Sequence, residues 1–340
     1  GDPGSSAAGD AGSSAAGDPG SSAAGDAGSS ADADIERLRS VLRRVGRAVV
    51  AFSGGADSSF LAYVATATLG ADQVLCATAV SPSLAPEELA DCRALAREWG
   101  LRALEVPTDE LADPAYSAND SRRCYHCKTS LMEALAPIAR IAPSASVDGG
   151  EGGGGGEGGG EGGGGPGREA TILLGVNLDD LGDARPGQQA AAERGAAFPL
   201  VEAGFTKAMV RKSSLRLGLR TWDKPAAACL ASRVPYGTPV TLDTLRSVTE
   251  AESGLRALGF RQLRVRHYGD TARIEVPEED LAAVVSRRHE VTAAVHTAGY
   301  RYVTLDLDGF RSGNLNDALA RTAPATTAAA AAAAAQGSTR

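Results

Sequence analysis

The chain has 340 residues and five cysteines, and its 34 Lys+Arg against 42 Asp+Glu leave a net charge of −8. That balance argues against a nucleic-acid coat or an anionic membrane surface as partner, and no apolar run reaches the length of a transmembrane helix. An odd cysteine count suits a reducing cytoplasm better than a disulfide framework.

Residues 1–32 repeat the unit "GDPGSSAA" and its near copies. The tract has too little apolar surface to offset its ordering entropy, so it is expected to be disordered. Strands and helices then alternate through a domain expected at 33–240. "RAVVAF" (47–52) is an apolar strand, "SGGADSS" runs from Ser53 to Ser59, and "FLAYVATATLG" continues as a helix to Gly70. "QVLCATAV" (73–80) reads as a strand, "APEELADCRALAREWG" (85–100) as a helix and "LRALEVPT" (101–108) as a strand. This alternation predicts an α/β fold, a doubly wound parallel sheet with helices on both faces. A loop of small residues between a strand and a helix suits a phosphate, because backbone N–H groups converge there and the helix N-terminus adds positive potential. The GKS or GKT of the Walker loop is absent.

"RRCYHCK" (122–128) holds Cys124 and Cys127 with His126 between them. On the residues alone a redox pair, half a zinc site and part of an iron–sulfur site all stay open. Residues 149–167 read as a flexible glycine insertion within the domain. In "GFTKAMVRKSSLRLGL" (204–219) Thr206 caps a helix with Lys207 in its first turn. The loop 221–241 carries Cys229, followed by Ser232 and Arg233, a neighbourhood that favours thiolate. Cys76 and Cys92 fall in strand and helix patterns and read as packing residues.

Residues 241–312 form a smaller α+β module: helix 242–260, strands 261–269 and 271–277 about Gly269-Asp270, helix 278–299 and strand 300–307. Arg264 and Arg266 share one face of their strand, a pairing suited to phosphate. The alanine-rich tail in 313–340 has no amphipathic face and is expected to be disordered.

"SGGADSS" resembles the PP-loop of the N-type ATP pyrophosphatases, adenine nucleotide alpha hydrolase-like enzymes that cleave ATP to AMP and pyrophosphate to activate a carbonyl or carboxylate. The resemblance implies that Ser53, Gly54, Gly55, Ser58 and Ser59 cradle pyrophosphate, Asp57 helps hold Mg²⁺, and Lys207 meets the ATP phosphates. Met209 stands where that pattern usually has an acid. "NLDDLGDARPGQQAAAERG" (177–195) and "TWDKPAAACLASRVPYGTPVT" (221–241) closely resemble the LarE family, and the likeness spans 35–312. Members are ATP-dependent sulfur transferases of nickel-pincer nucleotide biosynthesis, which matures lactate racemase. Their substrate is a pyridinium dicarboxylate mononucleotide.

This likeness implies the three-cysteine form, in which Cys124, Cys127 and Cys229 hold a [4Fe–4S] cluster with one iron open to sulfide from a donor. In the other form the cysteine at Cys229 gives up its own sulfur. Ser232, Arg233, Arg264 and Arg266 would meet the substrate phosphate. Glu252 and Glu275 would contact a metal between subunits of a homo-oligomer such as a hexamer. A tRNA-thiolating PP-loop enzyme and a non-catalytic nucleotide- or nickel-binding carrier are the alternatives.

Overall fold

The computed structural model describes residues 20–141, 169–182, 186–225 and 228–311. In chain order the elements are α1 (Gly20–Val45), β1 (Ala48–Ala51), α2 (Ala56–Leu69), β2 (Val74–Val80), α3 (Pro86–Glu98) and β3 (Ala103–Pro107). Next come α4 (Pro114–Ser117), α5 (Arg123–Ile141), β4 (Thr171–Leu173), α6 (Pro186–Glu193), α7 (Pro199–Glu202) and α8 (Lys207–Arg216). Then follow α9 (Leu242–Ala257), β5 (Arg264–Tyr268), β6 (Thr271–Glu275), α10 (Leu281–Ser286), α11 (Arg288–Thr297) and β7 (Tyr302–Leu305).

The first sheet is parallel throughout, in the order β3-β2-β1-β4. Its inner strands β1 and β2 are apolar on both faces, as a sheet covered on both sides requires, while the edge strand β3 is largely exposed. Val50 and Cys76 pack with Leu38, Phe60, Leu95, Phe205 and Val210, which come from α1, α2, α3, α8 and the turn before α8. Val49, Leu75 and Ile172 pack oppositely with Leu131, Met132 and Leu135 of α5 and Ala191 of α6. The chain winds from β1 outward through β2 to β3 and returns on the other side of β1 as β4. The β1/β4 crevice is therefore the topological switch point, where open α/β sheets bind ligands.

One expectation is corrected here. The repeat tract was expected to lack structure through residue 32, but α1 begins at Gly20. Ala31, Ile35, Leu38 and Leu42 fall on one buried face, and Asp32 pairs with Arg216 of α8 at 3.2 Å. Docking of that face nucleates the helix, which then propagates back through the glycine-, serine- and alanine-containing residues before it. Residues 1–19, the glycine insertion up to 168 and the tail from 312 lie outside the described residues.

The second sheet, β5-β6-β7, pairs β5 with β6 antiparallel about the Gly269-Asp270 turn and β6 with β7 parallel. It has a core of its own, with Val265, Ile274, Leu255 and Val295. Thr241 caps α9 by accepting from the Thr244 N–H. The helix expected over 278–299 divides at Arg287, which leaves helical geometry (ψ 23°) and donates to the Leu258 carbonyl ending α9 at 2.6 Å. No helix among the described residues is long and apolar enough to cross a membrane.

Candidate functional site

The SGGADSS loop leaves the carboxyl end of β1 and becomes the first turn of α2. Gly54 has φ +68°, and a Cβ there would stand 2.8 Å from Cys92 Sγ, so both conformation and space demand glycine. Gly55 caps α2 without a side-chain bond, leaving the helix N–H groups open to an anion. Ser53 and Ser58 hydroxyls meet at 3.0 Å. Ser59 does not join them: it is wholly buried, and among the described residues its hydroxyl finds no hydrogen-bond partner.

Asp57 and Lys207, 150 residues apart, form an ion pair through Oδ2. Asn177 donates to Asp57 Oδ1 at 3.2 Å, and Asp179 Oδ2 accepts from the Lys207 backbone N–H at 2.7 Å. Thus "NLDD", leaving β4, orients both partners across the switch point. Met209 is half-buried against the core, and Asp179 supplies the acid beside Lys207. The approach between β4 and α2 is closest at Gly175, where a Cβ would lie 2.7 Å from the Ser58 nitrogen. Gly175→Ala should force the start of α2 away, costing about 1–3 kcal/mol of stability. ATP affinity, measured by calorimetry, should fall with it.

The cysteine site stands at the same edge of the sheet. Cys124 and Cys127 occupy the first turn of α5, one helical turn apart, and both are free thiols, as is exposed Cys229. The Cys229 loop is fixed to the segment leaving β2: the Leu230 N–H donates to the Ser83 carbonyl at 2.8 Å, and Ser83 Oγ meets Tyr116 OH at 2.6 Å. Half-buried Cys127 packs against the cluster of Tyr116, Leu230 and Ala231. Burial pushes its thiol up to about 12.

The Cys229 loop therefore lies on the segment leaving β2, with Cys127 packed against its Leu230 and Ala231. Among the described residues no three His, Cys, Asp or Glu side chains are close enough to hold a single metal ion. A cubane cluster offers separate irons to separate thiolates and so tolerates a wider spacing. His126, between the cysteines, pairs with Asp113 at 3.1 Å. Cys76 and Cys92 are core residues, pushed up by burial to about 12 and about 11.

A third group lies where the Cys229 loop meets the second sheet. Arg233, Arg264 and Arg266 are all buried, as are Glu252 and Glu275. Glu252 takes Arg233 Nε at 2.8 Å and Arg256 Nη2 at 2.9 Å; Glu275 takes Arg266 Nε and Arg273 Nη2, each at 3.0 Å. Arg266 Nη1 also donates to the Ser232 carbonyl at 2.7 Å. Burial, then the positive charges of Arg233 and Arg266, hold Arg264 below its usual value. Three cations gathered this closely suit a multiply charged anion. Glu252 and Glu275, which in sequence look like surface acids, lie wholly inside this cluster.

Sequence reasoning passed over Asn119 and Arg123. Arg123 is buried under the Tyr236 ring and bonded to Asn119 and to the Ala231 carbonyl. Burial opposes its charge, but the neighbouring Cys229 and Cys124 sulfurs raise its pKa overall. The available signal was an arginine directly before CxxC, with an asparagine one helical turn earlier.

A family model described as NAD synthase matches residues 35–134. The chain is 42% identical over 292 residues to an uncharacterized protein of Synechocystis sp., covering 85% of this chain and 99% of that protein. It is 36% identical over 291 residues to the pyridinium-3,5-bisthiocarboxylic acid mononucleotide synthase of Lactiplantibacillus plantarum, covering 86% and 96%. An uncharacterized protein of Methanocaldococcus jannaschii is 23% identical over 264 residues, covering 78% and 90%.

Proposed function

This chain belongs to the LarE family of ATP-dependent sulfur transferases, and on that premise we propose that it converts the carboxylates of pyridinium-3,5-biscarboxylic acid mononucleotide to thiocarboxylates in nickel-pincer cofactor biosynthesis. A substrate carboxylate oxygen attacks the α-phosphorus of ATP and pyrophosphate leaves, giving an acyl adenylate. A sulfur nucleophile then adds to the acyl carbon, and AMP departs as the C–O bond breaks. Activation is required because a carboxylate is a poor electrophile. Ser53, Gly54, Gly55, Ser58 and Lys207 stabilise the pyrophosphate charge as it develops, and Asp57 would hold Mg²⁺.

What supports this reading is the seating of the Cys229 loop on the segment leaving β2 and on the CxxC helix: the Leu230 N–H donates to the Ser83 carbonyl at 2.8 Å, Arg123 donates to the Ala231 carbonyl at 2.9 Å, and Cys127 packs against Leu230 and Ala231. Three free thiols suit a [4Fe–4S] cluster held by these cysteines, which when bound would offer a fourth iron to sulfide from an exogenous donor. Ser232, Arg233, Arg264 and Arg266 receive the substrate phosphate. Glu252 and Glu275 fit the task of holding those arginines better than that of a metal contact between subunits, because each is fully buried and its Oε1 already takes a guanidinium donor.

Anaerobic reconstitution with iron and sulfide, followed by assays of pyrophosphate, AMP and thiocarboxylate, tests the proposal. Cys229→Ser should keep substrate-dependent pyrophosphate release and make no thiocarboxylate. Absence of pyrophosphate with this substrate would sink the sulfur-transfer reading. A cluster that survives in Cys229→Ala would break the three-ligand set. A cluster-free protein lighter by the mass of H₂S after turnover would make Cys229 a consumed sulfur source.

A further inference from the structure

Arg123 is a buried cation whose bonded partners are all neutral. Its Nη1 donates to Asn119 Oδ1 at 2.5 Å and to the Ala231 carbonyl at 2.9 Å, and its guanidinium lies 5.4 Å from the centre of the Tyr236 ring. Among the described residues no carboxylate pairs with it. A buried charge requires compensation, and here it comes from the Asn119 and Ala231 oxygens and the face of the Tyr236 ring.

Asn119 works from the other side. It has φ +55° and is fully buried, and its Nδ2 approaches three carbonyls of the loop after Cys229: Pro235 and Thr238 at 2.8 Å each and Val234 at 3.4 Å. Its own carbonyl accepts from the Gly237 N–H at 3.0 Å. The residues just before Cys124 therefore grip the loop just after Cys229, and both grips pass through the Asn119–Arg123 bond.

We infer that Arg123 and Asn119 are positioning residues for sulfur transfer: together they fix the Cys229 loop on the CxxC helix so that Cys124, Cys127 and Cys229 face one another, with the guanidinium as the fixed positive charge among them. This rests on the proposed use of Cys229. It explains why an arginine is spent in a buried place with no carboxylate, and why a non-glycine residue holds a left-handed conformation there. Arg123 touches no reacting atom in this scheme and acts through the cysteines.

The test uses the full chain without iron, ATP or substrate. A short bismaleimide is added, and cross-linked peptides are quantified by mass spectrometry. The Cys124–Cys127 link, within one helix, is the internal standard for the Cys124–Cys229 and Cys127–Cys229 links between elements. The wild type should yield the inter-element links. Arg123→Met should lower their ratio to the standard by about tenfold or more, and Arg123→Lys should restore part of it.

Arg123→Met should also keep substrate-dependent pyrophosphate release while losing thiocarboxylate, an uncoupling that general destabilisation would not produce. Should Arg123→Met fail to fold, Asn119→Gly keeps the backbone conformation and removes the side chain, and the same fall in ratio is expected. A wild type without inter-element links, or an unchanged ratio in the folded variants, overturns the inference. Failure of the sulfur-transfer reading would appear separately, as a wild type that forms the links yet releases no pyrophosphate with the mononucleotide.

Discussion

Asp57→Asn is expected to lower substrate-dependent pyrophosphate release by about 100-fold or more, the scale of losing one electrostatic group aimed at developing charge. The melting temperature should barely move. Asp57 and Lys207 are both partly solvated, with side chains 18% and 34% exposed, so the pair contributes at most about 1 kcal/mol to stability. Its value lies in placement. Asn177 and Asp179 aim carboxylate and ammonium at the N-terminus of α2, where the uncapped N–H groups point. Asparagine keeps the shape and the contact with Asn177 but removes the charge that would hold Mg²⁺. Lys207→Met should act on the same step, and the double variant should be little worse than either single one, because the two groups act as a unit. A fall of less than about tenfold in Asp57→Asn, with the protein folded, would remove Asp57 from the pyrophosphate site on the same scale.

The first sheet was legible because its signals are local. "RAVVAF" and "QVLCATAV" are continuous apolar runs, as a sheet buried on both faces demands, and Gly54, Thr206 and the Gly269-Asp270 turn punctuate the chain at the ends of elements. What the sequence hides is registry between distant segments. Lys207 meets Asp57 and Asp179 because β4 returns beside β1, and nothing local encodes that return. Ser59 belongs to the motif by spelling, yet helical periodicity turns it into the core. Glu252 sits on an amphipathic helix and would normally be solvated; it is buried because arginines from three other places converge on it or its neighbour Glu275. Arg123 was invisible for the same reason: its partners, Ala231 and Tyr236, lie more than a hundred residues on. The start of α1 was missed because tract composition was weighed without the amphipathic face that follows it.

Glu252→Ala should be the most destabilising single change in the second domain, costing about 3–5 kcal/mol, because it removes one partner of a buried ion pair and leaves the other uncompensated. Glu252 is 0% exposed and accepts four bonds: Oε1 takes Arg233 Nε at 2.8 Å and the Val265 N–H at 3.1 Å, and Oε2 takes Arg256 Nη2 at 2.9 Å and Arg233 Nη2 at 3.2 Å. Solvent cannot enter to replace them. Urea denaturation should show a lower midpoint at an unchanged m-value if the native state is otherwise intact. Stability and function then separate in a second variant. Replacing both members, Glu252→Leu with Arg233→Met, exchanges a buried ion pair for apolar contact and should recover part of the lost stability, the remaining loss being that of the acceptor for the Val265 N–H and Arg256. It should not recover the KM for the mononucleotide, because the cation meant for the substrate phosphate is gone. If Glu252 instead held a structural metal, a chelator would reproduce the alanine phenotype in the wild type; if it holds Arg233, the chelator leaves the unfolding curve where it was, and only loss of the carboxylate shifts it.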